Sequence, residues 1–554
     1  MNRVKSIWRT AVCIALSLLL LACGKESHQK EKTVTALPVG KKALNVGLNA
    51  GVPTLDPVFS SGTFSERVLS DLFEGLVSLD QNNVPVPGVA KSWDISNNHL
   101  VYTFYLRNNA RWSNGEPVTA QDFVFSLRRA VTPRSTAVLG ALLAGIKNAS
   151  GILAGKKAAD SLGVKAINDR TLRIVLAHPQ PYFLFILANT IAFPVYPPLV
   201  KKYGKSWANP DHIVSNGAYK LKSWVINGNL SLVRNPDYWD AKHVNIDTVN
   251  FYPIVSPSDA YNQYLSGRLD MTFSLPQNTT IAYYKKHYGK QFVHVTQLAN
   301  YFYWMNVKKP GLNKLGVRKA LTMAVDRKAI TSHVVKMGQT PLYSIVPSGM
   351  QHGIYADLYK KIPDYNWVAW PMEKRDAEAR KLLAKAGYSR AHPLTVTIVY
   401  NTNPTHLRVV QAIAQMWDRA FHGAVKVELR NEEWKVYLQT LNKGTFDLAR
   451  ESWTGNYDMA SDFVSLTVCD SANNHGQFCD KTLDHYYYAG ISSKSIKGYN
   501  KNMKKAIEVS MKNYYVIPVF NRVYFRLVKS YIGGYHYSGN HLDQVYSRWF
   551  YFKK

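Results

Sequence analysis

Residues 102–126 read YTFYLRNNARWSNGEPVTAQDFVFS, and this stretch carries the most specific pattern in the chain. It is interrupted by Asn114-Gly115, a dipeptide that marks a turn because glycine adopts a positive φ at no steric cost. Similar dipeptides lie between apolar runs at Asn216-Gly217, Asn227-Gly228, Ser266-Gly267 and Gly533-Gly534. This dense turn punctuation favours hairpins and short connections.

Strand-like and helical periods both occur on either side of that stretch. Residues 44–48 and 172–176 alternate apolar side chains with small or polar ones, which is typical of half-buried strands. Residues 373–386 and 407–421 carry the helical period, and a glycine follows each as a stop signal. Mixed strands and helices over this length predict an α/β or α+β body with several sheets.

The composition is that of a globular protein with a strong positive charge. Of the 554 residues, 46% are hydrophobic and 19% are charged, which excludes wholesale disorder, a collagen-like chain and a multi-span membrane protein. The length suggests three or four domain-sized units or one composite body. The 68 Lys and Arg residues outnumber the 37 Asp and Glu residues and give a formal net charge of +31. The electrostatic field of such a protein favours anionic surfaces or ligands.

The N-terminus has the pattern of a bacterial lipoprotein signal. Basic residues at positions 3, 5 and 9 precede an apolar stretch, and residues 20–23 read LLAC. The apolar stretch is short for a membrane span of ~20 residues, and it ends at a small residue directly before Cys23, as cleavage before a lipidated cysteine requires. An uncleaved anchor helix is the alternative interpretation.

We therefore expect residues 1–22 to be removed, Cys23 to carry lipid, and residues 23–41 to form a flexible tether. The mature body would keep a charge of +28, the formal +31 less the three basic positions of the signal. Such a protein belongs to the cell envelope, on the periplasmic side of a membrane. In Gram-negative cells, an aspartate directly after the lipidated cysteine commonly retains a lipoprotein at the inner membrane. This chain has Gly24 at that position, so we expect the lipid to anchor it to the outer membrane if the cell is Gram-negative.

Two cysteines remain in the exported body. Cys469 and Cys479 are ten positions apart, and a disulfide is the default expectation for such a pair outside the cytosol. A zinc clip that adds His475 is conceivable, but it offers three ligands without a fourth at a recognisable spacing. We expect the disulfide and no metal.

The chain contains none of the short catalytic or phosphate-binding motifs. A phosphate loop, an H-E-x-x-H pair, a G-x-S-x-G elbow and a G-x-G-x-x-G turn are all missing from the sequence, and the 16 histidines are dispersed. We therefore expect no enzyme activity, no catalytic residue and no cofactor. The exported location also argues against nucleic acid as a partner.

Residues 446–458 read FDLARESWTGNYD and predict a strand that runs into a polar, aromatic loop. Aromatic rings supply rigid contact area and an arginine holds carboxylates in bidentate fashion, so this segment is a candidate ligand wall. The alternative is a core tryptophan beside an ordinary surface arginine.

The order of motifs resembles that of the periplasmic oligopeptide-binding proteins of ABC importers, solute-binding family 5. The matching segments are 55–57, 71–76, 87–93, the stretch 102–126, Asn216-Gly217-Ala218-Tyr219, Asn235-Pro236, Tyr238-Trp239, 444–447 and 526–529. The resemblance covers about residues 42–554. Together with the signal, it implies a lipid-anchored binding protein that captures oligopeptides and delivers them to ABC permease subunits.

The resemblance implies a two-lobed α/β clamp of the type II periplasmic-binding class, in its large peptide-binding form with an accessory domain. The expected ranges are 42–73, 198–298 and 524–554 for lobe I, 74–197 for the accessory domain and 299–523 for lobe II. The hinge would cross near 298 and 523. Members of this family act as monomers that engulf an extended peptide and pair with its backbone as an added strand.

The resemblance also implies a set of ligand-binding positions. Six residues are expected to pair with the peptide backbone: Ser61, Gly62 and Thr63 in the first lobe, and Ser452, Trp453 and Thr454 in the second. Three further positions at the ligand wall keep the family's residue type: His406, Trp434 and Arg450. Asn456 stands where the family usually has the aspartate that pairs with the peptide's α-ammonium. Because an amide cannot supply that charge, either Asp458 or another acid replaces it, or the ligand has no cationic amino terminus.

Four functional hypotheses remain open from the sequence. The first is import of oligopeptides, including murein-derived peptides with modified termini. The second is a non-peptide ligand, such as an oligosaccharide or a metal chelate, on the same scaffold. The third is a surface lipoprotein with an adhesion or chaperone role, and an enzyme ranks last.

Overall fold

The structure, a computed structural model, describes residues 40–60, 63–132, 139–225, 228–276, 279–471, 473–535 and 544–553. Its strands are β1 Ala43–Leu48, β2 Val77–Leu79, β3 Pro85–Pro87, β4 Ala90–Ile95, β5 Val101–Leu106, β6 Val164–Asn168, β7 Thr171–Val175, β8 Tyr219–Trp224, β9 Leu230–Arg234, β10 Thr248–Pro253, β11 Phe292–Met305, β12 Thr340–Pro341, β13 Leu394–Asn401, β14 Val425–Glu432, β15 Leu448–Glu451, β16 Val516–Leu527, β17 Ile532–Gly533 and β18 Tyr551–Phe552. Its α-helices are α1 Thr63–Leu72, α2 Ala120–Ala130, α3 Ala149–Leu153, α4 Phe183–Leu187, α5 Pro197–Tyr203, α6 Pro257–Leu265, α7 Ile281–Tyr288, α8 Leu315–Met323, α9 Arg327–Ala329, α10 Met372–Lys385, α11 Pro404–Phe421, α12 Trp434–Lys443, α13 Ser461–Val464, α14 Lys481–Ile491 and α15 Ile496–Lys512.

Three larger sheets organise these elements. The first has the order β1-β10-β9-β8, with β1 parallel to β10 and the other pairs antiparallel. The second, β4-β5-β7-β6, is antiparallel throughout. The third has six strands in the order β12-β16-β11-β15-β13-β14, with parallel pairing on both sides of β13. Separate sheets with helices packed on them form the two-lobed α/β clamp that the motifs predict.

The stretch 102–126 folds into a strand, a turn and a helix. Alternate side chains of β5 are buried, as its pattern of apolar residues requires. Gly115 turns the chain at φ +86°, and α2 begins where the Asp122 carboxylate accepts a hydrogen bond from the Thr119 N–H at 2.8 Å. The same carboxylate accepts from Trp112 Nε1 at 3.1 Å, so one acid joins the turn to the helix start.

The periodic segments form the expected elements. Residues 407–421 lie within α11 and residues 373–386 lie within α10 and its C-terminal cap, while 44–48 and 172–176 fall on β1 and β7. These predictions are confirmed because each segment has a buried face that matches its period.

The Asn216-Gly217 dipeptide lies in the connection directly before β8 and forms no hairpin. A Cβ on Gly217 would lie 2.5 Å from the carbonyl carbon of Leu72, so the glycine permits a close approach of two backbones. The Asn216 amide donates to the Glu74 carbonyl at 2.9 Å and accepts from the Glu74 N–H at 3.1 Å. Two motifs far apart in the chain therefore meet at the end of α1. Similarly, Ser266-Gly267 ends helix α6 and forms no hairpin.

Strands β11 and β16 are the longest of the described strands, with 14 and 12 residues, and they pair along most of their length. The pairing shifts register between Thr296 and Asn300, where the chain crosses the first expected lobe boundary. An interrupted ladder is easier to bend than a continuous one, because fewer hydrogen bonds hold it. The domain boundaries themselves stay a prediction.

Residues 1–22, the lipidation position Cys23 and residues 23–39 of the tether lie outside the described residues, as do Ser61, Gly62 and Asn227. Among the helices that the structure does describe, none combines the length and the apolar character that a membrane span requires.

Candidate functional site

The loop after β15 is fixed against β11 through its backbone. The Asn300 N–H donates to the Trp453 carbonyl at 3.1 Å, and the Gly455 N–H donates to the Leu298 carbonyl at 2.7 Å. Ser452 Oγ adds a bond to the Asn300 carbonyl at 2.7 Å. Because successive residues of an extended segment point their polar groups to opposite sides, the N–H and C=O of Thr454 face away from β11.

Thr454 lies where two cavities meet. Cavity A, of about 720 Å³, lies between the region of the second sheet and the loops after β15; its wall includes Gln180 and Tyr182 on one side and Asn456 and Asp462 on the other. Cavity B, of about 800 Å³, lies between the region of the first sheet and α11, β16 and the same loop. Thr454 lines both cavities, and we call the two cavities together the cleft.

A basic and aromatic wall lies next to cavity B. The Arg450 guanidinium carbon lies 4.7 Å from the ring centroid of Tyr301, and its Nη1 donates to Asn401 Oδ1 at 3.1 Å. Arg522 lines cavity B, and burial lowers its pKa, with Arg450 adding repulsion. Two guanidinium groups held close together attract an anion into the cleft.

His406 lies behind this wall. Its Nδ1 is 3.2 Å from the hydroxyl oxygen of Tyr301. Burial lowers the pKa of His406 to about 2, and the charges of Arg450 and Arg522 act in the same direction. The imidazole is therefore neutral at physiological pH and acts as a hydrogen-bonding group without charge.

Two acids follow Asn456 in the segment directly after β15, and only one of them lines cavity A. Asp458 lines neither cavity, and its Oδ1 accepts from the Gln351 N–H at 2.7 Å. Asp462 lines cavity A, and its two oxygens accept from the Asn456 N–H at 2.7 Å and the Asn456 Nδ2 at 3.0 Å. Burial raises the pKa of Asp462 to about 6, although these bonds lower it.

The other expected ligand positions divide into two groups. Trp453, Thr454 and Asn456 line cavity A, and Thr63 lines cavity B. Trp434 lies on α12 with its side chain 48% exposed, and it lines neither cavity. Its ring stacks on that of the buried Tyr437 at a centroid distance of 6.0 Å.

Residues that the sequence analysis missed complete the cleft: Gln180, Tyr182 and Asp462 in cavity A, and Arg522 in cavity B. The Tyr182 ring stacks on the Tyr457 ring at 5.4 Å, so it joins the two sides of cavity A. Gln180 and Tyr182 belong to no motif that the sequence singles out. The acidic residue six positions after Asn456 was the one signal that could have indicated Asp462.

Cys469 and Cys479 are joined by a disulfide near the rim of cavity A. Asn473, inside the loop that this disulfide closes, lines the cavity, and the Cys469 N–H donates to Asp484 Oδ1 at 3.0 Å. The sulfur atoms are bonded to each other, so the zinc clip with His475 has no thiolates to use.

The fold and the cleft agree with comparisons to known proteins. Residues 84–475 match the profile of the bacterial extracellular solute-binding proteins, family 5. The chain belongs to this family. The family is non-enzymatic, and its members are the substrate-binding proteins of ABC transporters.

Several family 5 proteins resemble the chain along nearly its whole length. The periplasmic oligopeptide-binding protein OppA of Salmonella typhimurium is 37% identical over 93% of this chain and 94% of its own. The crystal structure of Haemophilus influenzae OppA in complex with RPPGFSPFR is 35% identical, covers 93% and 99% of the two chains, and gives a TM-score of 0.79. The Escherichia coli murein tripeptide-binding protein MppA is 35% identical with the same coverage and a TM-score of 0.80.

Proposed function

We propose that this protein is a lipid-anchored, extracytoplasmic solute-binding protein that captures oligopeptides between its lobes and delivers them to the permease of an ABC importer. The observation that carries the proposal is the backbone of Thr454, whose N–H and C=O face away from β11 at the point where the two cavities meet. An extended peptide can pair with such an edge as an added strand. Backbone pairing binds peptides with little preference for their sequence.

The charges at the two ends of the cleft support a zwitterionic, elongated ligand. Asp462 lies in cavity A, and Arg522 lies in cavity B with Arg450 behind it. A short peptide has an ammonium group at one end and a carboxylate at the other. Its ends therefore match the cleft when the amino end enters cavity A.

The contacts across the cleft support a closing motion. Tyr182 on one side stacks on Tyr457 and packs against Tyr499 on the other, at centroid distances of 5.4 and 5.8 Å. Strands β11 and β16 carry the chain between the lobes and have a register shift at Thr296–Asn300. A ligand that contacts both sides favours the closed state, which a permease can distinguish from the open one.

The evidence for the proposed lipid anchor comes from the sequence alone. The pattern LLAC at residues 20–23 supports cleavage before Cys23 and lipidation of that residue. Growth with radiolabelled palmitate tests this, because the wild-type chain should incorporate label and the Cys23→Ser variant should not. Labelled Cys23→Ser protein would refute the anchor and leave peptide binding untouched.

The ligand itself can be identified without choosing candidates in advance. The mature protein is purified, denatured, and the released small molecules are analysed by mass spectrometry. We expect peptides of mixed sequence and a narrow range of lengths. A single sugar, chelate or sterol-like compound, or a cleft that releases nothing and binds none of a mixed peptide library, would refute peptide capture.

A murein-derived peptide is the second candidate ligand. The specific support is the likeness to the murein tripeptide-binding protein MppA over 93% of the chain. In the same mass spectrometry experiment, this candidate predicts one dominant peptide that contains diaminopimelate. Peptides made only of standard amino acids would exclude it.

A further inference from the structure

A third cavity lies outside the cleft. Cavity C, of about 800 Å³, takes its lining from the segments 340–348 and 356–369 and from Lys328, and it shares no described lining residue with cavity A or cavity B. Its volume lies within the range of small-molecule sites, about 300–1,000 Å³. Peptide capture in the cleft leaves this cavity without a role.

The lining of cavity C is largely apolar and aromatic. The rings of Tyr343 and Tyr359 pack against each other at a centroid distance of 4.8 Å. Tyrosine rings supply rigid contact area for a flat apolar group. The apolar and aromatic lining residues are Pro341, Leu342, Tyr343, Val346, Tyr359, Ile362, Pro363, Tyr365 and Val368. This lining suits a ligand with a rigid apolar body.

Two buried arginines lie directly behind this lining. Arg327 is 1% exposed and Arg375 is 6% exposed, and neither forms an ion pair with a described residue. Arg327 Nε donates to the Leu342 carbonyl at 3.0 Å, and Arg375 Nη2 donates to the Val368 carbonyl. Because Leu342 and Val368 line cavity C, each guanidinium group lies one backbone carbonyl behind the cavity.

Arg327 places an incompletely compensated charge beside the cavity. Its Nη2 has no hydrogen-bond partner among the residues that the structure describes. Burial lowers the pKa of its guanidinium group to about 10, so the group is still charged at neutral pH. Its guanidinium carbon lies 5.0 Å from the ring centroid of Tyr343, which lines the cavity. A buried cation gives the space next to it a positive potential, because little water screens it.

The exposed lining residues of cavity C are also positive. Lys328 and Lys360 are both exposed, and Asp357 is the single carboxylate among the described lining residues. Lys360 Nζ pairs with Asp357 Oδ1 at 2.9 Å, whereas Lys328 forms no ion pair within the described part of the chain. One lysine is therefore available to an anion on the solvent side.

We propose that cavity C is a second ligand-binding site, which takes an aromatic organic anion such as an aryl carboxylate or sulfonate. The aromatic body packs on the tyrosines, and the acidic group lies at Lys328. Burial of the rings removes apolar surface from water, and the anion compensates the positive charge of Arg327, Arg375 and Lys328. This inference goes beyond peptide capture and does not depend on it.

Two fluorescent probes separate the contribution of the anion from that of the rings. Anilinonaphthalene sulfonate is an aromatic anion, and phenylnaphthylamine has the same rings without the sulfonate. Each probe is titrated into the mature protein, and the change in fluorescence gives its affinity. The ratio of the two affinities on one variant is insensitive to partial misfolding, because both probes are bound by the same folded fraction.

The first variant removes the exposed charge. Lys328→Gln should weaken binding of the sulfonate probe about 3- to 10-fold and leave phenylnaphthylamine within about twofold of wild type. Lys361→Gln is the matched control, because it removes the same charge from an exposed lysine that does not line cavity C. It should leave the affinity ratio unchanged.

The second variant removes part of the aromatic lining. Tyr359→Ala should weaken both probes about 3- to 10-fold, since both have the rings that pack on it. The control Tyr488→Ala changes a tyrosine that is 47% exposed and lines none of the three cavities. It should weaken neither probe.

Arg522→Met tests the other place where an anion could bind, because Arg522 lines cavity B. This variant should keep the affinity ratio of the two probes. Four results would overturn the inference: a wild-type protein that does not bind the sulfonate probe, no selective loss in Lys328→Gln, an equal or larger selective loss in Lys361→Gln or Arg522→Met, or unchanged binding of both probes in Tyr359→Ala. None of these results bears on peptide capture, which the mass spectrometry of released ligands tests separately.

Discussion

Cavities A and B are similar in volume but opposite in charge. Cavity A has an unpaired acid and, among its described lining residues, no basic side chain, whereas cavity B has Arg408 and Arg522. Both share Thr454 and the same loop of backbone. Under the proposed peptide capture, this difference would separate two tasks. Uncharged backbone pairing in the middle would hold any extended chain, and opposite charges at the ends would orient it.

The largest effect is expected from a change at the residue that the two cavities share. Thr454→Pro removes the N–H that faces the cleft, and we expect it to weaken peptide binding on the order of 100-fold. The loss should be the same whether the peptide's amino and carboxyl ends are free or blocked. Thr454→Ala keeps the backbone and should bind within about twofold of wild type. Calorimetry with tetra-alanine measures both. Equal losses in the two variants would show that the side chain, and not the backbone, binds the ligand.

The next effect should be confined to cavity B. Arg522→Met removes one of two adjacent guanidinium groups, so peptides with a free carboxylate should bind about 10- to 100-fold more weakly, while amidated peptides change little. Because Arg450 and Arg522 repel each other, the ligand-free variant should be no less stable than wild type in urea unfolding. A drop in stability with unchanged carboxylate binding would contradict the assignment.

A pH series should change binding at cavity A and leave cavity B unaffected. Burial raises the pKa of the Asp462 carboxyl to about 6, and a bound cation favours its ionised form. The affinity for peptides with a free ammonium group should therefore be greatest above about pH 6. Below that pH it should fall by at most about tenfold per pH unit. The pKa of His406 is lowered to about 2, so His406 does not titrate in this range. The other titratable groups that line cavity A are His178, Tyr182, Tyr457 and Tyr487.

The ligand-free protein should respond in the opposite sense. Because the pKa of Asp462 is raised on folding, its contribution to stability is largest below its ordinary value of 3.8 and is lost as pH rises through about 6. Asp462→Asn should remove both pH dependences, whereas His178→Gln should keep them. A pH dependence that survives in Asp462→Asn and disappears in His178→Gln would assign the titration to the histidine.

The smallest effect is expected from the contact that joins the sides of cavity A. Tyr182→Ala removes the stack on Tyr457 and should weaken all peptides, acetylated or not, by about 2- to 10-fold, because aromatic pairs contribute about 0.5–1.5 kcal/mol beyond their buried area. Tyr182→Phe keeps the ring and should lose only the bond from Gln180. Small-angle scattering should show a wider ligand-bound form for Tyr182→Ala. An unchanged shape and affinity would exclude a role in closure.

Much of the fold was predictable because local physics determines it. The alternation of β5, the Gly115 turn and the Thr119–Asp122 cap lie within one short stretch, and each depends on neighbours a few residues away. The role of Asn216-Gly217 was not predictable, because this dipeptide serves a long-range contact with Leu72, which leaves no local trace.

The sequence by itself determined the family and the two-lobed architecture, and it indicated that the family's aspartate is replaced by an amide at Asn456. Only the tertiary structure decided which acid lies in the cleft, since Asp462 lines cavity A, whose sides come from distant parts of the chain, and Asp458 does not. It also placed Trp434, which carries a family residue type, on a half-exposed helix face outside both cavities, and its ligand role stays a prediction. The physical reason is that periodicity and turn chemistry act between neighbours, whereas burial and unpaired charge depend on how whole sheets pack.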